Sequence, residues 1–184
     1  LFVLSLLLIP FMGRDFLPKF NEGTATVNIM AQPGISLDES NKLGTQAEEI
    51  LLKIPEVKSV ARRTGRAELD EHAEGVHYSE IDVDFKEGGR NRDVVLNEMR
   101  EKLESISGVF SNIGQPISHR LDHLLSGVRA QIAIKVFGPD LNTLRSKASE
   151  IYKALDGTNG LVDLQIEQQV LIPQVKIQLL RDEA

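Results

Sequence analysis

The chain has 184 residues, of which 41% are hydrophobic and 26% charged, the balance of a globular protein with room for one domain or two small ones. A net charge of −6 without any dense Lys/Arg cluster argues against a nucleic-acid partner. There is no cysteine, so disulfides, thiolate metal sites and cysteine nucleophiles are excluded, and a metal would have to use His, Asp, Glu, Met, Asn or backbone oxygen.

Residues 1–12, LFVLSLLLIPFM, have no polar face, no basic leader and no small-residue cleavage site. The run is shorter than the roughly 20 apolar residues that span a bilayer. We read residues 1–13 as the end of a transmembrane helix, with the chain beginning inside it, and residues 14–23 as a junction leaving the membrane. The competing reading makes the run a core element of a soluble tandem binding module. TATVNIMA (24–31) alternates as a strand, with Ala25, Val27 and Ile29 on one face and Thr26, Asn28 and Met30 on the other. QPG breaks it. Ser36 is placed to cap a helix with Glu39 at the capping-box position, and Leu43, Ala47, Ile50, Leu51 and Ile54 form its apolar stripe before Pro55.

VKSVARRTG (57–65) reads as a strand. Its alternation splits Arg62 and Arg63 between two faces, as solvated or ion-paired surface. AELDEHAEG (67–75) reads as a polar, mobile loop. VHYSEIDVDF (76–85) is a strand with Ile81, Val83 and Phe85 inward and Tyr78, Glu80, Asp82 and Asp84 outward. GGRNR (88–92) is a turn that feeds a helix over 91–106, with Val95, Met99, Leu103 and Ile106 in phase, and 109–117 is a last extended stretch. The order β-α-β-β-α-β predicts an α+β, ferredoxin-like split motif. The pattern then restarts: a strand over 131–138, a helix over 139–155 with Leu144, Ala148, Ile151 and Leu155 inward, and strands over 161–169 and 173–180. We expect two such subdomains, residues 24–125 and an incomplete second copy over 126–184.

GRDFLPKFNEG, QPGISLDES, IPEVKSVARRTGRAE and RLDHLLSGVRAQIAIKVFG resemble the second periplasmic loop of resistance–nodulation–division (RND) efflux pumps, in the heavy-metal efflux branch. The resemblance covers essentially the whole chain and implies one porter subdomain and the first half of the next. It also implies a bacterial inner-membrane proton/cation antiporter, with this segment facing the periplasm, rather than an enzyme. Such a pump is a homotrimer joined to a periplasmic adaptor and an outer-membrane channel. No cofactor and no catalytic residue are implied; the metal cation is the cargo.

The resemblance also implies where cargo binds. Copper- and silver-exporting members carry three methionines in the cleft between subdomains. Those positions fall here on Asn28, Tyr78 and His123, with a carboxylate at Glu80. Thioethers suit Cu(I), whereas imidazole and carboxylate suit Zn²⁺, Co²⁺ or Ni²⁺. The expected set is His123, Glu80, Asp122, Asn28, Asp82, Tyr78 and Met30, for a divalent ion. A Cu(I)/Ag(I) pump using Met30, and an RND pump for organic compounds, are the alternatives. The second of these is disfavoured by an aromatic content of only 5%. His72 and His77 flank an acidic loop that reads as solvated. His119 reads as a structural hydrogen-bonder. Ser118, His119 and Asp122 lie too close in sequence to make a hydrolase triad.

Overall fold

The structure is a computed structural model and describes residues 22–65, 74–116 and 132–167. In chain order the elements are β1 (Thr24–Ala31), α1 (Leu37–Leu52), β2 (Val57–Thr64), β3 (Tyr78–Phe85), α2 (Arg92–Leu103), β4 (Val109–Gly114) and α3 (Leu141–Leu155). The first six make a four-stranded sheet in the order β2-β3-β1-β4, antiparallel at every pairing. This is the expected α+β split motif, with β1 and β3 central and β2 and β4 at the edges.

Local chemistry sets the helix starts. Ser36 Oγ accepts the Glu39 N–H at 3.2 Å, and Asn91 Oδ1 accepts the Asp93 N–H at 2.8 Å. Each satisfies a backbone donor that the first turn leaves unpaired. Both helices stop short of the expected ends, at Leu52 and Leu103, yet Ile54 and Ile106 still reach the core from the turns that follow. Val27, Ile29, Ile81, Val83 and Ile113 cover one sheet face, and Ala47, Leu51, Val95, Met99 and Leu103 pack onto it from α1 and α2. Burying a side chain of this size contributes about 1.5–3 kcal/mol.

Arg62 lies on this helix side. It pairs with Glu48 at 3.1 Å and donates to Asn41 Oδ1 at 2.9 Å and Thr64 Oγ1 at 2.7 Å. Gly44 makes the slot for it, since a Cβ there would lie 2.6 Å from the guanidinium. Arg63 turns to the other face, so the split expected for this pair is present.

In the second unit only the helix takes the expected form. α3 starts at Asp140, whose Oδ1 accepts the Thr143 N–H at 2.8 Å. Leu144, Ala148, Ile151 and Leu155 are half-buried, and no residue of α3 is buried. Residues 132–138 and 161–167 were expected as strands but form no ladder among the described residues. Alternation makes a strand only where a neighbour offers its own N–H and C=O groups. The stretch 173–180 lies outside the described residues, as do residues 1–13. Among the described residues no helix is long and apolar enough to cross a membrane.

Candidate functional site

The candidate residues sit on the sheet face opposite the helices. Because side chains alternate and register is fixed, cross-strand partners form rows. One row runs Arg63, Glu80, Asn28, Asn112 across β2, β3, β1 and β4. A second runs Ala61, Asp82, Thr26, Gly114, and a third holds Tyr78, Met30 and Phe110. The expectation that the polar faces of β1 and β3 adjoin is met, with Asn28 opposite Glu80 and Met30 opposite Tyr78.

These residues differ in exposure. Asn28 and Tyr78, expected on an outward polar face, are buried at 2% and 6% exposure. Their burial has a local reason: the Tyr78 hydroxyl donates to Asn28 Oδ1, which pairs two polar groups that would be costly to bury alone. Met30 and Glu80 are half-buried. Asp82 is more open, and accepts the Thr26 hydroxyl at 3.4 Å.

Among the described residues, Arg63 faces the carboxylates. Arg63 Nη2 donates to Glu80 Oε1 and to Asp82 Oδ2, the latter at 3.1 Å. The guanidinium side chain is 54% exposed, so this is a partly solvated clamp and not a buried pair. Arg63 and Asn112 are the members of the site that sequence reasoning left out. Alternation along β2 puts Arg63 on a face, but its partner depends on register across residues 65–77, which alternation does not fix. Asn112 shares a face with Phe110 by alternation along the stretch expected to be extended over 109–117, but its place beside Asn28 follows from the pairing of β4 with β1.

Of the expected metal set, Asn28, Met30, Tyr78, Glu80 and Asp82 are gathered on one face, and His123 and Asp122 lie outside the described residues. Among the described residues, no group of three or more His, Asp or Glu side chains is arranged to hold a metal ion. The face supplies two carboxylates, a buried amide and phenol, and a thioether. A first-row divalent ion on this face would need at least one more ligand from elsewhere. His77 lies at the loop end of β3, its carbonyl accepting the Ala31 N–H at 2.8 Å. His72, Ser118 and His119 lie outside the described residues.

Residues 1–184 match the AcrB/AcrD/AcrF family. The cobalt-zinc-cadmium resistance protein CzcA of Cupriavidus metallidurans is 30% identical over 180 residues, 94% of this chain and 17% of that protein. The nickel and cobalt resistance protein CnrA of the same organism is 30% identical over 162 residues, 85% of this chain and 15% of that protein. The cation efflux system protein CusA of Escherichia coli K12 is 25% identical over 164 residues, 85% of this chain and 16% of that protein. A crystal structure of a heavy metal efflux pump superposes with a TM-score of 0.82 at 26% identity, covering 98% of this chain and 19% of that one. The chain thus spans less than a fifth of the length of these relatives. With the split sheet, the polar second face and the family match over its full extent, the chain belongs to the AcrB/AcrD/AcrF family, among the RND proteins of the heavy-metal efflux branch.

Proposed function

We propose that the chain is the periplasm-facing porter portion of an inner-membrane, proton-driven pump that exports a divalent cation of the zinc, cobalt or nickel class. The pump works as a homotrimer with a periplasmic adaptor and an outer-membrane channel. The observation that carries the ion class is the ligand set. Asn28, Tyr78 and His123 stand at the three positions where the resemblance implies methionine in copper and silver exporters. Two carboxylates, Glu80 and Asp82, flank Asn28 and Thr26 on the same sheet face. Oxygen and imidazole donors favour divalent ions over Cu(I). The relatives named for cobalt, zinc, cadmium and nickel resistance are 30% identical and CusA is 25% identical, which points the same way.

In this reading His123, Asp122 and Glu80 supply the ligands. Asp82, Asn28, Tyr78 and Met30 complete the surroundings. Cargo is released when one subdomain turns against the other and separates ligands held on the two sides. The test is cation binding by the full-length protein, with Zn²⁺ and Cu(I) compared in wild type, His123→Ala and Glu80→Gln. The expected result is Zn²⁺ binding weakened at least tenfold by His123→Ala, a loss of about 1.4 kcal/mol. Tight Cu(I) binding, indifferent to His123 and lost in Met30→Ala, would replace the divalent reading with the monovalent one.

A further inference from the structure

Asp163 follows α3 in a stretch, LVDLQIE, whose alternation suggests a strand. It has φ +54, and is the sole non-glycine residue of the described chain in the left-handed region. Asp enters that region more readily than most residues, but at a cost that the surroundings must meet. Asp163 Oδ1 and Oδ2 accept the Arg100 Nε–H at 3.1 and 3.3 Å, and Oδ2 also accepts the Ile113 N–H at 3.2 Å.

Arg100, on α2, completes the arrangement. Its Nη2 donates to the Ile113 carbonyl at 3.5 Å, and its Nη1 donates to Asn97 Oδ1 at 3.0 Å. The two charged side chains are only 19% and 12% exposed. Ile113 is on β4, an edge strand paired, among the described residues, with β1 alone. Its amide is therefore met by a carboxylate and its carbonyl by a guanidinium. One donor and one acceptor from an ion pair stand where a neighbouring strand would stand. Asp163 belongs to the segment after α3, whereas Arg100 and Ile113 belong to the first unit.

We propose that Asp163 is a pin between the two porter units: through Arg100 and the β4 edge it fixes the segment after α3 to the first unit, and pump action is carried across it. The pump-action half rests on the efflux reading above; the pin itself does not. A carboxylate caught between a guanidinium and a backbone amide resists sliding in both directions. The left-handed backbone aims it there at a position where sequence alternation alone would have continued extended chain.

The test uses the full-length protein and three substitutions. Asp163→Gly keeps the backbone conformation and removes the carboxylate. Asp163→Ala removes the carboxylate and strains the backbone. Asp163→Asn keeps an acceptor and removes the charge. Hydrogen exchange of the peptide covering 109–116 is read beside resistance to Zn²⁺ in a sensitive host. Asp163→Gly and Asp163→Ala should speed exchange at Ile113 at least tenfold and lower resistance at equal protein level, with Asn between them and wild type. Arg100→Ala should give the same acceleration, and the double variant Arg100→Ala/Asp163→Gly no more than either alone. Wild-type exchange in Asp163→Gly would overturn the pin. Faster exchange with unchanged resistance would overturn its part in pumping. A wild-type protein that confers no resistance would sink the efflux reading, and the exchange result would still decide the pin.

Discussion

Arg63 holds the two carboxylates, Glu80 and Asp82, that the proposed function assigns to cargo. It occupies both carboxylates at once, so under the proposed function cargo has to displace a guanidinium as well as water. Counting Arg63 alone among the described cations, the two carboxylates holding it keep one net negative charge, which under the proposed function a divalent cation in its place would neutralise and a monovalent one would not. The clamp is half exposed, and such pairs contribute about 0.2–1 kcal/mol. Arg63→Gln in the full-length protein should therefore tighten Zn²⁺ binding by roughly 1.4- to fivefold, from about 0.2 to 1 kcal/mol of lost competition. Titration calorimetry on both proteins reads this directly. Weaker binding in the variant would mean that Arg63 holds the carboxylates in place for the metal and does not compete with it.

At the scale of elements, the stripes on α1 and α2 were legible because burial on one side imposes a 3.6-residue period that nothing else in a soluble segment imitates. Met99 shows what the stripe does. It is fully buried between α2 and the sheet, with Val95 and Leu103 one turn away on either side. Met99→Ala should cost about 2–5 kcal/mol, because the cavity is walled by strands that do not collapse into it. Urea unfolding should show a lower midpoint at an unchanged slope; a loss under about 1 kcal/mol would mean that α2 shifts to fill the space. The face carrying Asn28, Tyr78, Glu80 and Asp82 was legible for the same kind of reason, from a period of two. Three things were not. The burial of Asn28 and Tyr78 follows from a hydrogen bond between neighbouring strands, which has no signature in either strand alone. The Arg63 clamp follows from register. Asp163 lies in a stretch whose alternation favours a strand, and its left-handed turn is visible only where Arg100 and Ile113 receive the carboxylate.

Across the whole molecule, charge pairs join distant parts of the chain and make its stability depend on pH. Arg90 grips Glu56 with two bonds of 2.7 Å, tying the turn before α2 to the start of β2. The guanidinium hydrogen bonds hold the Glu56 carboxyl down to about 2, from an ordinary value of 4.5. A carboxyl lowered by folding stabilises the folded state fully above its unfolded value, and that contribution is lost as pH falls through the folded value. The window here runs from about 4.5 down to about 2. Thermal midpoints followed across this window should fall less steeply in Glu56→Gln than in wild type, while the variant is the less stable of the two at neutral pH. Parallel slopes would show that other carboxyls carry the acid sensitivity. The strand order has a different consequence. β1 opens the first unit and β4 closes it, and the two are antiparallel neighbours, with Thr26 beside Gly114. The chain thus arrives and departs about one strand spacing apart, roughly 5 Å. To the segments on either side, some ninety residues of sheet and helix take up no more room than the bend of a hairpin. A module with that footprint is suited to transplantation. It could be lifted out, exchanged for a relative's, or copied in tandem, and its flanks would have almost no gap to close.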